Sequence, residues 1–140
     1  MGLQQLYLTH NGLTSAGVEA LMASPVTRGP EILRLNMNPI GDAGARAIGA
    51  RVSQSLTTLF LARTEMTDTG FRALVDSPRL ASLDGLDVTS NPLSTAVLGA
   101  PVDPAKLPVL TTLEVDAKAT DSALLEKRRA GRPSLKINAE

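Results

Sequence analysis

One spacing constrains this chain more than any other property. The segment Leu3-x-x-Leu6-x-Leu8-x-x-Asn11-x-Leu13 returns as Pro30, Leu33, Leu35, Asn38 and Ile40, then as Leu56, Leu59, Leu61, Thr64 and Met66. It returns twice more, as Leu83, Leu86, Val88, Asn91 and Leu93, and as Leu110, Leu113, Val115, Lys118 and Thr120. The starts at 3, 30, 56, 83 and 110 lie 27, 26, 27 and 27 residues apart. A unit this short cannot bury its apolar residues alone, whereas stacked copies can. The expectation is therefore a single layered domain over residues 1–140, not a globule packed around one irregular centre.

Each position in the unit has a physical task. The two apolar residues of L-x-L share one face of a short strand and point inward, and the residues between them point out. Asparagine at the ninth position suits the sharp turn that leaves the strand, because its amide can bond backbone groups that no ladder satisfies. The next apolar residue (Leu13, Ile40, Met66 or Leu93) re-enters the core. A helix then returns the chain, with Ser15, Asp42 and Asp68 placed as N-caps. Gly17, Gly44 and Gly70 recur inside these helices, at a cost of about 1 kcal/mol each relative to alanine. Close approach of the helix backbone to the strand layer is the expected reason. Leu21, Ile48 and Leu74 should seal the core four residues later. The pattern weakens in repeat four, where Val97 replaces the glycine and Pro101, Pro104 and Pro108 oppose a regular helix. A helix over 121–130 and a last strand at Leu135-x-Ile137 should form a C-terminal cap over about 121–140.

Composition narrows the function classes. The apolar residues are mostly aliphatic; Tyr7, Phe60 and Phe71 are the aromatics, and Trp is absent. Formal net charge is zero, which leaves no electrostatic footprint for nucleic acid or an anionic membrane. No apolar run is long enough for a membrane span, and no leader pattern is present. With no cysteine and His10 as the single histidine, neither Cys–His catalysis nor a multi-histidine metal site can be assembled. The inventory thus argues against an enzyme and implies no cofactor and no metal. Absence of cysteine fits a reducing, cytoplasmic setting.

These residues resemble the ribonuclease-inhibitor-like class of leucine-rich repeats, most closely at Asn38-Pro39-Ile40-Gly41-Asp42-Ala43-Gly44-Ala45-Arg46-Ala47-Ile48. The string Gly-Asp-Ala-Gly-Ala-Arg-Ala is also similar to bacterial leucine-rich-repeat arrays. The resemblance covers residues 3 to about 128. It implies an α/β horseshoe with a parallel sheet on the concave side and helices on the convex side, and protein–protein recognition as a class tendency.

In such a solenoid the outward strand residues align in columns roughly 4.8 Å apart. The central column reads Tyr7, Arg34, Phe60, Asp87 and Glu114. Beside it run Thr9, Asn36, Ala62, Thr89 and Asp116, then His10, Met37, Arg63, Ser90 and Ala117. Aromatic and arginine residues are the usual anchors of protein interfaces. The candidate partner-binding set is accordingly Tyr7, His10, Arg34, Asn36, Met37, Phe60, Arg63, Asp87, Glu114 and Asp116. The competing reading of Tyr7, Arg34 and Phe60 is a cation–π ladder that serves the fold alone. Asp87 and Glu114, at roughly 5 Å, repel by somewhat under 1 kcal/mol in water, so Arg63, Lys118 or a basic partner should neutralise them. Three carboxylates without a dedicated loop are poor grounds for calcium. At the N-terminal end Leu6, Leu8, Leu13 and Leu21 form a layer with nothing beneath it, which suggests a fragment of a longer array or a homodimer through that edge.

Overall fold

The computed structural model describes residues 3–139, without the side chains at 26, 27 and 102. Among these residues six short strands lie parallel in chain order: β1 (Gln5–Tyr7), β2 (Ile32–Arg34), β3 (Thr58–Phe60), β4 (Gly85–Asp87), β5 (Thr112–Val115) and β6 (Lys136–Ala139). Over β1–β5 the register is the one the leucine spacing predicts, with Leu6, Leu33, Leu59, Leu86 and Leu113 in one row. Ile137 joins that row from β6, which begins at Lys136 and so leaves out Leu135 of the expected Leu135-x-Ile137 strand. Leu33, Leu59, Leu86 and Leu113 are buried, as are Leu35, Leu61, Val88 and Val115 two residues on. A side-chain period of two thus puts one face of every strand into the core and leaves the other outside.

Three helices close the layers from behind: α1 (Ser15–Ala23), α2 (Gly41–Arg51) and α3 (Asp68–Val75). Val18, Ile48, Phe71 and Leu74 are fully buried at their inner faces, and Leu21 packs against the core without being buried. A short α4 (Thr95–Leu98) follows and gives way to a 3-10 turn at Ala100–Val102, as the prolines require. The last helix, α5 (Ser122–Gly131), is capped by Asp121, which accepts from the Leu124 amide at 2.8 Å.

Two expectations about the helices are corrected. Ser15, Asp42 and Asp68 are not the N-caps of α1, α2 and α3, whose caps are Thr14, Ile40 and Thr67. The two aspartates instead serve the following repeat. Asp42 Oδ1 accepts from the amides of Thr67 (2.7 Å) and Gly70 (3.0 Å), and Oδ2 from the Thr67 hydroxyl (2.6 Å). Asp68 does the same for Ser94, taking its amide at 2.8 Å and its hydroxyl at 2.6 Å. Each carboxylate thereby satisfies orphan donors at the start of the next helix.

The recurring glycines likewise have a different cause from backbone–sheet approach. A Cβ at Gly44 would stand 2.7 Å from Ile40 Cβ, and one at Gly70 would stand 2.5 Å from Asp42 Oδ1 and 3.0 Å from Met66 Cγ. The glycine makes room for the re-entrant apolar side chain of its own repeat and, at position 70, for the capping carboxylate of the previous one.

The C-terminal end is closed by a residue that has no equivalent in the repeat. Arg132 is buried, and its guanidinium donates to the carbonyls of Pro101 (2.9 Å), Lys106 (3.2 Å) and Leu107 (2.6 Å). Burial pulls its pKa below the ordinary arginine value. Beyond it, Leu135 fills the core and β6 extends the sheet along β5.

Candidate interaction surface on the concave face

The outward strand residues stand in the columns expected from sequence: Tyr7, Arg34, Phe60, Asp87 and Glu114 are successive partners across five strands. The helices all lie on the other side of the sheet, so this face is uncovered. At its N-terminal end Arg34 is held between two rings, with its guanidinium carbon 5.0 Å from the Tyr7 centroid and 4.2 Å from that of Phe60. Tyr7 is 55% exposed, and its hydroxyl donates to Gln5 Oε1 at 2.9 Å. Arg34 Nε is buried and makes no hydrogen bond among the described residues. A cation–π ladder of Tyr7, Arg34 and Phe60 is therefore present in the fold. It holds a long cationic side chain in one orientation on an open surface, which lowers the entropy a contact would lose.

The column of His10, Met37 and Arg63 sits at the turn that ends each strand. All three, with Ser90, adopt left-handed backbone, at φ between 54° and 62°. Their amides donate across the layers, His10 to Asn36, Met37 to Ala62 and Arg63 to Thr89, while the Ser90 amide goes to Asp116 Oδ1. Asn36 Oδ1 likewise takes the Ala62 amide at 2.8 Å. Asn36 and Asp116 thus hold neighbouring turns in addition to lining the face.

Below these residues the turns come in two kinds, a distinction absent from the sequence reading. In repeats one and three the ninth-position asparagine of the following layer reaches back. Asn38 Oδ1 accepts from the amides of Asn11 (2.9 Å) and Leu13 (3.0 Å), and its Nδ2 donates to Leu8 O at 2.8 Å. Asn91 repeats this for Thr64, Met66 and Leu61. The tenth residues there, Gly12 and Glu65, are left-handed at φ 68° and 61°. In repeats two and four the following layer offers Thr64 and Lys118, the tenth residue is Pro39 or Pro92, and the turn closes on itself through Ile40 N to Asn38 O and Leu93 N to Asn91 O. The signal was in the sequence: proline stands at the tenth position of those layers whose successor lacks the asparagine.

At the acidic end Asp87 Oδ1 accepts from the Thr89 amide (3.0 Å) and hydroxyl (2.8 Å). Between Phe60 and the acids the sheet surface dips into an open cleft of about 250 Å³, floored at Gly85 and walled by Thr58, Phe60, Asp87, Thr112 and Glu114. Among the described residues no group of three or more His, Cys, Asp or Glu side chains is placed to hold a metal ion, and no helix is long and apolar enough to cross a membrane.

A family model described as Leucine Rich repeat matches residues 3–22 and 31–49, the strand, turn and helix of the first two layers. Together with the parallel sheet and its alternating helices, this decides the fold. It is a leucine-rich-repeat solenoid. Tyr7 and Arg34 lie within the matched leucine-rich repeats, whereas Phe60, Asp87 and Glu114 lie in later layers joined to them by sheet register. No curated protein matches the chain.

Proposed function

We propose that this chain is a non-enzymatic scaffold that engages a protein partner through its concave strand face, as part of a longer repeat array in a cytoplasmic setting. Leucine-rich repeats commonly mediate protein–protein interaction. The strand–helix alternation of the first three layers supports the ribonuclease-inhibitor-like subtype, and the bacterial resemblance rests on the string from Gly41 to Ala47. One observation carries the choice of face: Arg34, clamped between Tyr7 and Phe60, is an oriented cation flanked by aromatic surface with no helix over it. Anchors of this kind dominate interface energetics. Replacing Arg34 and Phe60 together by alanine should abolish capture of the partner from source lysate, and undiminished capture would move the interface elsewhere.

A second reading has its own support. Leu6, Leu8 and Leu13 are only half-buried, whereas Leu33, Leu35 and Ile40, their counterparts one layer on, are buried. Asn11 is exposed and turns its Nδ2 to its own strand, at Thr9 O (3.1 Å), where Asn38 and Asn91 serve a preceding layer. The N-terminal edge is thus built like an internal layer, suited to stack on further repeats or on a second copy. Sedimentation at micromolar concentration separates these, since a persistent monomer counts against the dimer.

A further inference from the structure

Gly85 has no structural reason to be glycine. It occupies the middle of the sheet at an outward position, its φ is not in the left-handed region, and a Cβ there would meet only Thr58 Cγ2 at 3.4 Å and Oγ1 at 3.9 Å, ordinary contact. Other layers carry Gln5, Ile32, Thr58 and Thr112 at this place. Glycine in a strand interior costs stability and marks places where another group comes close. Here its missing side chain is what opens the 250 Å³ cleft.

The walls of that cleft have a definite chemistry. Phe60 carries Arg34 on its β2 side, and the cleft lies on its β4 side, so the ring has a second surface to offer. Opposite stand Asp87 and Glu114, with Asp84 at the rim bonded to the Thr111 hydroxyl. No residue lining the cleft is basic. The two bonds from Thr89 fix the Asp87 carboxylate through Oδ1 and leave Oδ2 uncommitted to them. A planar cation that stacks on a ring and forks to carboxylates is a guanidinium, whereas an ammonium lacks both the plane and the fork. We infer that the Gly85 cleft is the seat for an arginine side chain of the protein partner, stacked on Phe60 and paired with Asp87 and Glu114. This deepens the concave-face reading and rests on it: the partner's arginine extends the row begun by Tyr7, Arg34 and Phe60.

The test is a titration of the isotope-labelled full chain with the blocked tripeptide acetyl-Gly-Arg-Gly-amide, followed by amide shifts in NMR. Saturable shifts are expected at Leu86, Asp87 and Thr112, with a dissociation constant in roughly the millimolar range for so small a ligand. The citrulline counterpart, isosteric but neutral, should bind about ten-fold more weakly or worse, and Asp87→Asn should weaken the arginine peptide by a similar factor of about ten. Gly85→Val fills the cleft with a residue that strands favour, so it should remove binding while the melting temperature holds or rises. No saturable shift, equal shifts with citrulline, or arginine binding retained in Gly85→Val would each overturn the assignment. If the titration fails while Arg34→Ala with Phe60→Ala still abolishes partner capture, the concave-face reading stands and only the arginine seat falls. If capture is unaffected by that pair, the failure belongs to the broader reading.

Discussion

The first three layers and the last two add their strands to one sheet, yet they are closed from behind in different ways. In the N-terminal half, α1, α2 and α3 lay apolar faces on the sheet through Val18, Ala45, Ile48, Phe71 and Leu74. In the C-terminal half, α4 is a single turn, and the returning chain runs through prolines and a left-handed Leu107 at φ 44°. There the Arg132 guanidinium donates to three backbone carbonyls of the returning chain. The sheet register passes from one half to the other without a break. The lesson is that the register needs a filled core and satisfied backbone groups behind each strand and is indifferent to which element supplies them. That is why the concave face can be continuous over an irregular back.

The largest effects are expected at the centre of the first half. Leu59→Ala removes a fully buried side chain from the middle row and should cost about 2–5 kcal/mol in urea unfolding; a negligible loss would mean that the row does not face the core. Asn38→Ala should cost about 3 kcal/mol, because the buried amide serves Leu8, Asn11 and Leu13 at once. A loss nearer that of a surface substitution would show that the cross-layer amide is dispensable. Arg132→Met tests the second half with an expected loss of about 3 kcal/mol, since it leaves three carbonyls without their charged donor. Hydrogen exchange should then show β5 and β6 deprotected while β2 and β3 stay closed. Equal deprotection would make the two halves one cooperative unit.

Smaller effects sharpen the picture of how layers are joined. Asp42→Ala should cost about 1 kcal/mol as a lost cap of α3. Burial pushes the Asp42 carboxyl upward, but the bonds from Thr67 and Gly70 and the charge of Arg46 outweigh it and hold the pKa below the ordinary aspartate value. Its contribution is therefore present above the unfolded value of about 3.9 and is lost as pH falls through the lower folded value. The stability gap between the wild type and Asp42→Asn should narrow on acidification below about pH 4; a gap that widens would contradict the sign. Smallest of all, Glu65→Gly should stabilise the chain by up to about 1 kcal/mol, because Glu65 holds φ at 61° in an exposed turn. A loss on thermal melting would mean that the Glu65 side chain supports the turn.

How much of this was legible beforehand follows from the range of each interaction. The L-x-L pairs announce strands, and their spacing announces register, so the central column from Tyr7 to Glu114 could be written down residue by residue. The stack of Arg34 between Tyr7 and Phe60 followed directly from that column. The capping aspartates did not follow, because Asp42 and Asp68 look like local N-caps while their partners lie 25 to 28 residues ahead. Arg132 was hidden for the same reason, its acceptors standing 25 to 31 residues back.

The layered architecture, the inward rows and the columns that begin at Tyr7, Thr9 and His10 can be read from the residues alone, because a period of two along a strand combines with a period near 27 along the chain. The stacked structure adds how the layers are tied to one another, through Asn38, Asp42, Asn91 and Arg132, and that Gly85 opens a cleft between a ring and two carboxylates. Those features are pairings through space between residues about one repeat apart. Local propensity sets each residue's backbone, but the neighbour it meets is fixed only when the layers stack.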